Sequence, residues 1–99
     1  MSAEGDEAQR RAIDLLEANH VFPCEFSLSV IARNDETVTA AVVAAASPGS
    51  PLGEGKHERQ PSGGGKYVSH RLRIGCATAQ EVLDLFARVR AVDGVITVL

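Results

Sequence analysis

The segment KYVSHRLRIGC, residues 66–76, decides the fold. Val68, His70, Leu72, Ile74 and Cys76 share one parity, and Tyr67, Ser69, Arg71 and Arg73 share the other. Successive side chains of a strand point to opposite faces, so this alternation predicts a strand with an apolar core face and a polar open face. The pattern recurs over residues 22–32, where Phe22, Cys24, Phe26, Leu28, Val30 and Ala32 alternate with Glu25, Ser27 and Ser29. Pro23 has no N–H to give a ladder and fits only the beginning of that strand. Pairing the two strands antiparallel, with Phe26 opposite Ile74, Leu28 opposite Leu72 and Cys24 opposite Cys76, places all the core-parity residues on one face.

The flanks complete a topology. The turn at residues 62–65 joins the deciding strand to a polar edge strand over residues 56–61, whose charges and terminal Pro61 discourage edge-to-edge aggregation. Downstream, Thr78 with Glu81 forms a capping box before a helix carrying Val82, Leu85, Phe86 and Val89. Gly94 closes that helix, and residues 95–99 form a last short apolar strand. After the first strand, Asn34 is the expected N-cap, with Asp35 and Glu36 in the first turn and Val38, Ala41, Val42 and Ala45 on the apolar face. Ser47-Pro48 ends this helix, because proline disfavours helical geometry at the residue before it. Residues 6–19 place Ala8, Ala12, Ile13, Leu15 and Leu16 on the stripe of a further, N-terminal helix. Fraying is expected over residues 1–11, and the Pro- and Gly-rich residues 47–55 read as a mobile connection. The order is a helix followed by βαββαβ. Two crossovers around one hairpin predict a single α+β, ferredoxin-like domain over residues 1–99: a four-stranded antiparallel sheet in order 4-1-3-2 with two helices on one face, preceded by the N-terminal helix.

Composition bounds the function. A chain of 99 residues, 44% of them hydrophobic, holds one core and no second domain. Ten basic residues against 13 acidic ones give a net charge of -3, so no global basic field draws in nucleic acid or anionic lipid. Two cysteines are too few for a disulfide framework, and residues 1–21 hold no apolar run long enough for a signal peptide or membrane span. The expectation is a cytoplasmic protein without membrane association.

Few residues invite chemistry. Ser62-Gly63-Gly64-Gly65-Lys66 suggests a phosphate loop, but Gln60 and Tyr67 stand where the motif needs glycine and serine or threonine, so the segment reads as a hairpin turn. Cys24 and Cys76 become cross-strand neighbours on the core face and read as two packed thiols, lacking an activating base or a Cys-x-x-Cys partner. His20, His57 and His70 have no metal-ligand spacing. His70 is expected half-buried and hydrogen-bonded to a neighbour, and His57 solvated. No carboxylate pair, no nucleophile with a base and no cofactor fingerprint appears, which predicts a protein that is not an enzyme and carries no cofactor or metal.

The open sheet face is the informative surface. It should display Ser27 and Ser29 with Glu25, then Tyr67, Ser69, Arg71 and Arg73, and from the edge either His57 with Arg59 or Lys56 with Glu58. Glu25 is placed to pair diagonally with Arg73. RNA-binding sheets stack bases on several aromatic residues, whereas here Tyr67 stands alone, so the expectation is against nucleic acid. The last strand carries Val95, Ile96, Val98 and Leu99, apolar on both faces of an edge, which the N-terminal helix or a second subunit would cover; a homodimer is the expected state.

Phe22-Pro23-x-x-Phe26, the hairpin Pro61-Ser62-x-x-Gly65-x-Tyr67-x-Ser69 and the pair Val98-Leu99 resemble the YbeD-like family of small bacterial proteins of unknown function, over roughly residues 12–99. The resemblance implies a ferredoxin-like fold related in shape to ACT-type amino-acid-sensing domains, and no catalytic residue. Members of that family usually carry a lysine and a glycine where Ser29 and Ala32 stand here. ACT domains place a glycine-containing turn after strand one, whereas Arg33-Asn34-Asp35-Glu36 has none. The functional expectation is a regulatory or interaction module that binds a bacterial protein through Tyr67, Ser69, Arg71, Arg73, Ser27 and Ser29 and through the hairpin residues Pro61, Ser62 and Gly65. The alternative is an ACT-like metabolite sensor with its ligand near residues 33–36.

Overall fold

The computed structural model describes residues 3–49 and 52–99. Its elements run α1 (Ala3–Asn19), β1 (Cys24–Arg33), α2 (Glu36–Ala46), β2 (His57–Ser62), β3 (Tyr67–Cys76), α3 (Ala79–Arg90) and β4 (Val95–Val98). The strands form one antiparallel sheet in the order β2-β3-β1-β4, the expected order counted from the opposite edge. The central register is the one the alternation dictates: Cys24 faces Cys76, Phe26 faces Ile74 and Leu28 faces Leu72.

The core lies between this sheet face and the helices. Leu28, Val30, Ala32, Leu72 and Cys76 from the strands pack with Val38, Val42 and Ala46 of α2 and with Val82, Leu85 and Val89 of α3. Both helices therefore cover the same face, and among the described residues no helix packs on the other. Leu16, Phe22, Phe26 and Leu52 pack at the margin, so the 47–55 connection is pinned to the core at Leu52.

Several boundaries differ from expectation. Helix α1 begins at Ala3 rather than near residue 6; the parts of the expected frayed start and mobile connection at residues 1–2 and 50–51 lie outside the described residues. Leu15, expected on the apolar stripe, is 64% exposed, because it stands about 100° around the helix from Leu16, which faces the core. The N-cap of α2 is Asp35, not Asn34: Asp35 Oδ1 accepts from the N–H groups of Thr37 at 2.7 Å and Val38 at 3.3 Å. Those two bonds also hold the Asp35 carboxyl below its usual range. Asn34 instead donates from Nδ2 to the Gly65 carbonyl at 2.8 Å, tying the hairpin to the β1–α2 turn. At α3, Thr78 Oγ1 accepts from the Glu81 N–H at 3.2 Å, and Glu81 Oε2 accepts from the Ala77 N–H at 2.6 Å. This is the expected capping box with its return bond one residue early.

Strand β4 is short and irregular. Val30 faces Val98 and Ile31 faces Thr97, but Ala32 faces Val95, so Ile96 is the extra residue of a bulge. Val95 and Val98 pack toward the core while Ile96 and Leu99 stay 56% and 71% exposed. Helix α1 does not cover them; it lies against α3, where Gln9 Nε2 donates to Gln80 Oε1 at 2.9 Å.

Candidate functional site

The register turns the uncovered face into a map. Row by row it pairs Ser62 with Tyr67 and Arg33, Gln60 with Ser69 and Ile31, Glu58 with Arg71 and Ser29, then Arg73 with Ser27 and Gly75 with Glu25. All six expected open-face residues thus share one surface, and the strand pairing settles the edge contribution as Lys56 with Glu58. His57 and Arg59 face the helices. Arg71, Arg73 and Ser27 are exposed, Ser29 and Ser69 half-buried, and Tyr67 is 39% exposed.

On the open face, charge pairing sets Arg71 and Arg73 apart from Arg33 and Lys56. Among the described residues the ion pairs are Arg11–Glu7, Arg33–Asp93, Lys56–Glu25 and Arg59–Glu36. Glu25 is therefore held by Lys56 and not by Arg73, a correction to the expected diagonal pair. The hydrogen bond from the Lys56 ammonium outweighs desolvation and, with the Lys56 and Arg73 charges, holds the Glu25 carboxyl below its usual range. Arg71 and Arg73 stand side by side on β3 with no ion pair to a carboxylate among the described residues.

The hairpin motif is a mount for this face. Gly63, Gly64 and Gly65 all have positive φ, and a Cβ on Gly63 would come within 2.8 Å of the Tyr67 ring. Pro61 sits on the edge strand where its missing N–H faces solvent, outside the β2–β3 ladder. Gly65 accepts the Asn34 side chain. Pro61, Ser62 and Gly65 thus shape the turn that seats Tyr67.

Two expected roles change on the covered face. His57 is half-buried, not solvated: its Nε2 lies 2.8 Å from His70 Nδ1, and the rings stack with centroids 5.0 Å apart. His70 is fully buried, and its Nε2 has no hydrogen-bond partner among the described residues. Burial pushes both imidazoles below their ordinary pKa; for His70 the His57 charge and then Arg59 act in the same direction, with Glu36 opposing, and for His57 Arg59 does. Cys24 and Cys76 are free thiols, and burial, then the Glu81 and Cys24 charges, push the Cys76 thiol up, as suits a packed sulfur. The turn at residues 33–36 uses its polar groups internally, through Asp93, Gly65, the α2 cap and Arg59.

A family model described as "Protein of unknown function (DUF493)", the YbeD-like family, matches residues 17–99, most of the chain. The chain belongs to this family. No curated protein matches it. In this DUF493 member the matched span includes β1, β3 and the whole hairpin, and so every residue of the open face. Among the described residues no cluster of three or more metal-ligand side chains occurs, and no helix is long and apolar enough to cross a membrane.

Proposed function

We propose that this DUF493 member is a non-enzymatic regulatory or interaction module of ferredoxin-like fold, acting in the cytoplasm, that docks a partner protein on its open sheet face. The observation that carries this reading is the pair Arg71 and Arg73, exposed on a central strand with no carboxylate partner among the described residues. Guanidinium groups bind carboxylates bidentately, so the complementary surface is acidic. Tyr67, Ser69, Ser27 and Ser29 surround the pair, and Tyr67 with half-buried Ile31 supplies contact area that a charged patch lacks. The hollow beside Arg71, lined by Glu58, Arg59, Gln60 and Ser69, encloses about 140 Å³, below the about 300 Å³ or more of typical ligand pockets, and the hollow of about 390 Å³ beside Arg73 is lined by the ion-paired Glu25 and Lys56. A single aromatic residue on the face supports protein over RNA.

The same reading includes a homodimer along β4. Ser29 and Leu99 exchange both backbone bonds, at 3.0 and 2.7 Å, so Val98 between the bonded pairs turns its N–H and C=O outward beside the exposed Ile96 and Leu99.

The docking reading is tested by capture from native lysate with the wild-type chain and with an Arg71→Ala, Arg73→Ala double variant whose amide NMR spectrum stays folded. The expected result is a stoichiometric protein partner retained by the wild type and lost by the variant. Equal recovery by both chains, or recovery of the bait alone, contradicts it.

A further inference from the structure

The His57–His70 pair holds a polar atom that the fold leaves without a partner. His70 stands opposite Arg59 of β2 and Val30 of β1, with its ring fully buried. Its Nδ1 meets His57 Nε2 at 2.8 Å, and its Nε2 has no hydrogen-bond partner among the described residues. One proton lies in the 2.8 Å bond, and the orphan atom decides which ring supplies it. A buried N–H without an acceptor carries the full desolvation cost of a donor and is rarer in folded proteins than an unpaired acceptor. The bare nitrogen of His70 is therefore Nε2, and its Nδ1–H donates to His57 Nε2. His57 then carries its own proton on Nδ1, on a ring that is only half-buried.

While the pair is closed, a further proton has no place to go. On His70 Nε2 it would make a buried N–H with no acceptor, and on His57 Nε2 it would set two N–H groups head to head across 2.8 Å. The charged groups that act on the pair give no relief. Arg59 of β2 disfavours a second positive charge beside it, and Glu36 of α2 is already held by Arg59 at 3.2 Å. Of the two rings, His57 is the one able to leave, because it is the first residue of an edge strand whereas His70 belongs to a central one. Next to His57, Lys56 fastens the start of β2 to the sheet. Its carbonyl accepts from the Arg73 N–H at 2.9 Å, and its ammonium pairs with Glu25 across the open face.

We propose that His57 and His70 form a proton-operated latch on the docking face. Uptake of one proton at His57 Nε2 breaks the bond from His70 Nδ1, swings the His57 ring out and loosens the start of β2, so that Lys56 lets go of Glu25. Glu25 stands diagonal to Arg73 across β1 and β3. Once free, it competes with the carboxylates of a partner for that guanidinium, and acid weakens docking. What the latch controls rests on the docking reading; whether it opens does not.

The test uses the full chain. Long-range 1H–15N correlation of the imidazoles at roughly pH 8 reads the tautomers, and amide hydrogen exchange from roughly pH 7.5 to roughly pH 5 reads the opening. The Asn34 N–H bonds the Lys66 carbonyl across β1 and β3, so by alternation the Leu72 amide is turned to β1 while that of Arg73 is turned to β2. The expected result is a proton on Nδ1 of both rings. The protection of the Arg73 amide, relative to its intrinsic exchange rate, should fall by about tenfold per pH unit below roughly 6.5, the slope of an opening that takes up one proton. Leu72 should keep its protection. His57→Gln still offers an acceptor to His70 and takes up no proton, so its Arg73 protection should stay level. A proton on His70 Nε2, a level Arg73 profile in the wild type, loss at Leu72 in step with Arg73, or an undiminished fall in a folded His57→Gln chain overturns the latch. Equal capture of the partner at roughly pH 7.5 and roughly pH 5.5 while the latch opens overturns its control of docking. An opening latch in a chain whose Arg71 and Arg73 double variant captures as the wild type does overturns the docking reading alone.

Discussion

At the scale of single residues, the stacked pair His57 and His70 sets the acid side of stability. Both imidazoles sit below the 6.5 of an unperturbed histidine because burial disfavours the charged form. As pH falls the unfolded chain takes up protons first, so the stability of the neutral pair is fully present above 6.5 and is lost as pH drops toward the folded values. Arg59 on β2 adds to this, and Glu36 on α2 opposes it at His70. Thermal unfolding from roughly pH 8 to roughly pH 5 should show a steeper fall for the wild type than for a His57→Gln, His70→Leu variant; parallel curves contradict the pair's role. The parity of residues 66–76 reveals that His70 faces the core. It does not reveal His57, whose face depends on how many residues the turn between β2 and β3 takes up. That turn gives a second expectation. Gly63 and Gly64 both have positive φ, but only Gly63 lies against the Tyr67 ring. Alanine at either position should cost about 1–2 kcal/mol for the left-handed backbone, with Gly63→Ala the more destabilising by urea unfolding; the reverse order contradicts the seating of Tyr67.

At the scale of elements, legibility follows amphipathicity. Strands β1 and β3 alternate cleanly, so their pairing follows from burying one face of each, and Cys24 meets Cys76 as that argument requires. Strand β2 reads HERQPS and is polar on both faces. Hydrophobic pattern therefore cannot choose its register, and the choice between Lys56 with Glu58 and His57 with Arg59 stays open in the sequence. That Arg71 and Arg73 form no ion pair among the described residues depends on where Lys56 reaches, which is a three-dimensional fact. Strand β4 is apolar on both faces for a visible reason, since its bulge sends Val95 and Val98 inward and leaves Ile96 and Leu99 out. Pairing of two β4 edges should give a light-scattering mass near twice the 10.5 kDa of the chain, and Ile96→Lys should return the protein to monomer, because a charge at an exposed edge opposes strand pairing. A wild-type monomer at high concentration contradicts the dimer.

At the scale of the whole molecule, the layers assign the work. Helices α2 and α3 cover one sheet face and build the core from it, which leaves the other face free to carry Tyr67, Ser69, Arg71, Arg73, Ser27 and Ser29. The layer plan is present in the order of the elements; the function it serves is not, because a fold of this kind hosts many functions and only its surface chemistry separates them. The most direct measurement replaces Tyr67 with a photo-crosslinking phenylalanine analogue in living cells and compares it with the same replacement at Ala44, exposed on α2. A partner adduct from position 67 that is absent from position 44 is the expected result. An adduct from position 44 alone, or from neither position, contradicts docking on the open face.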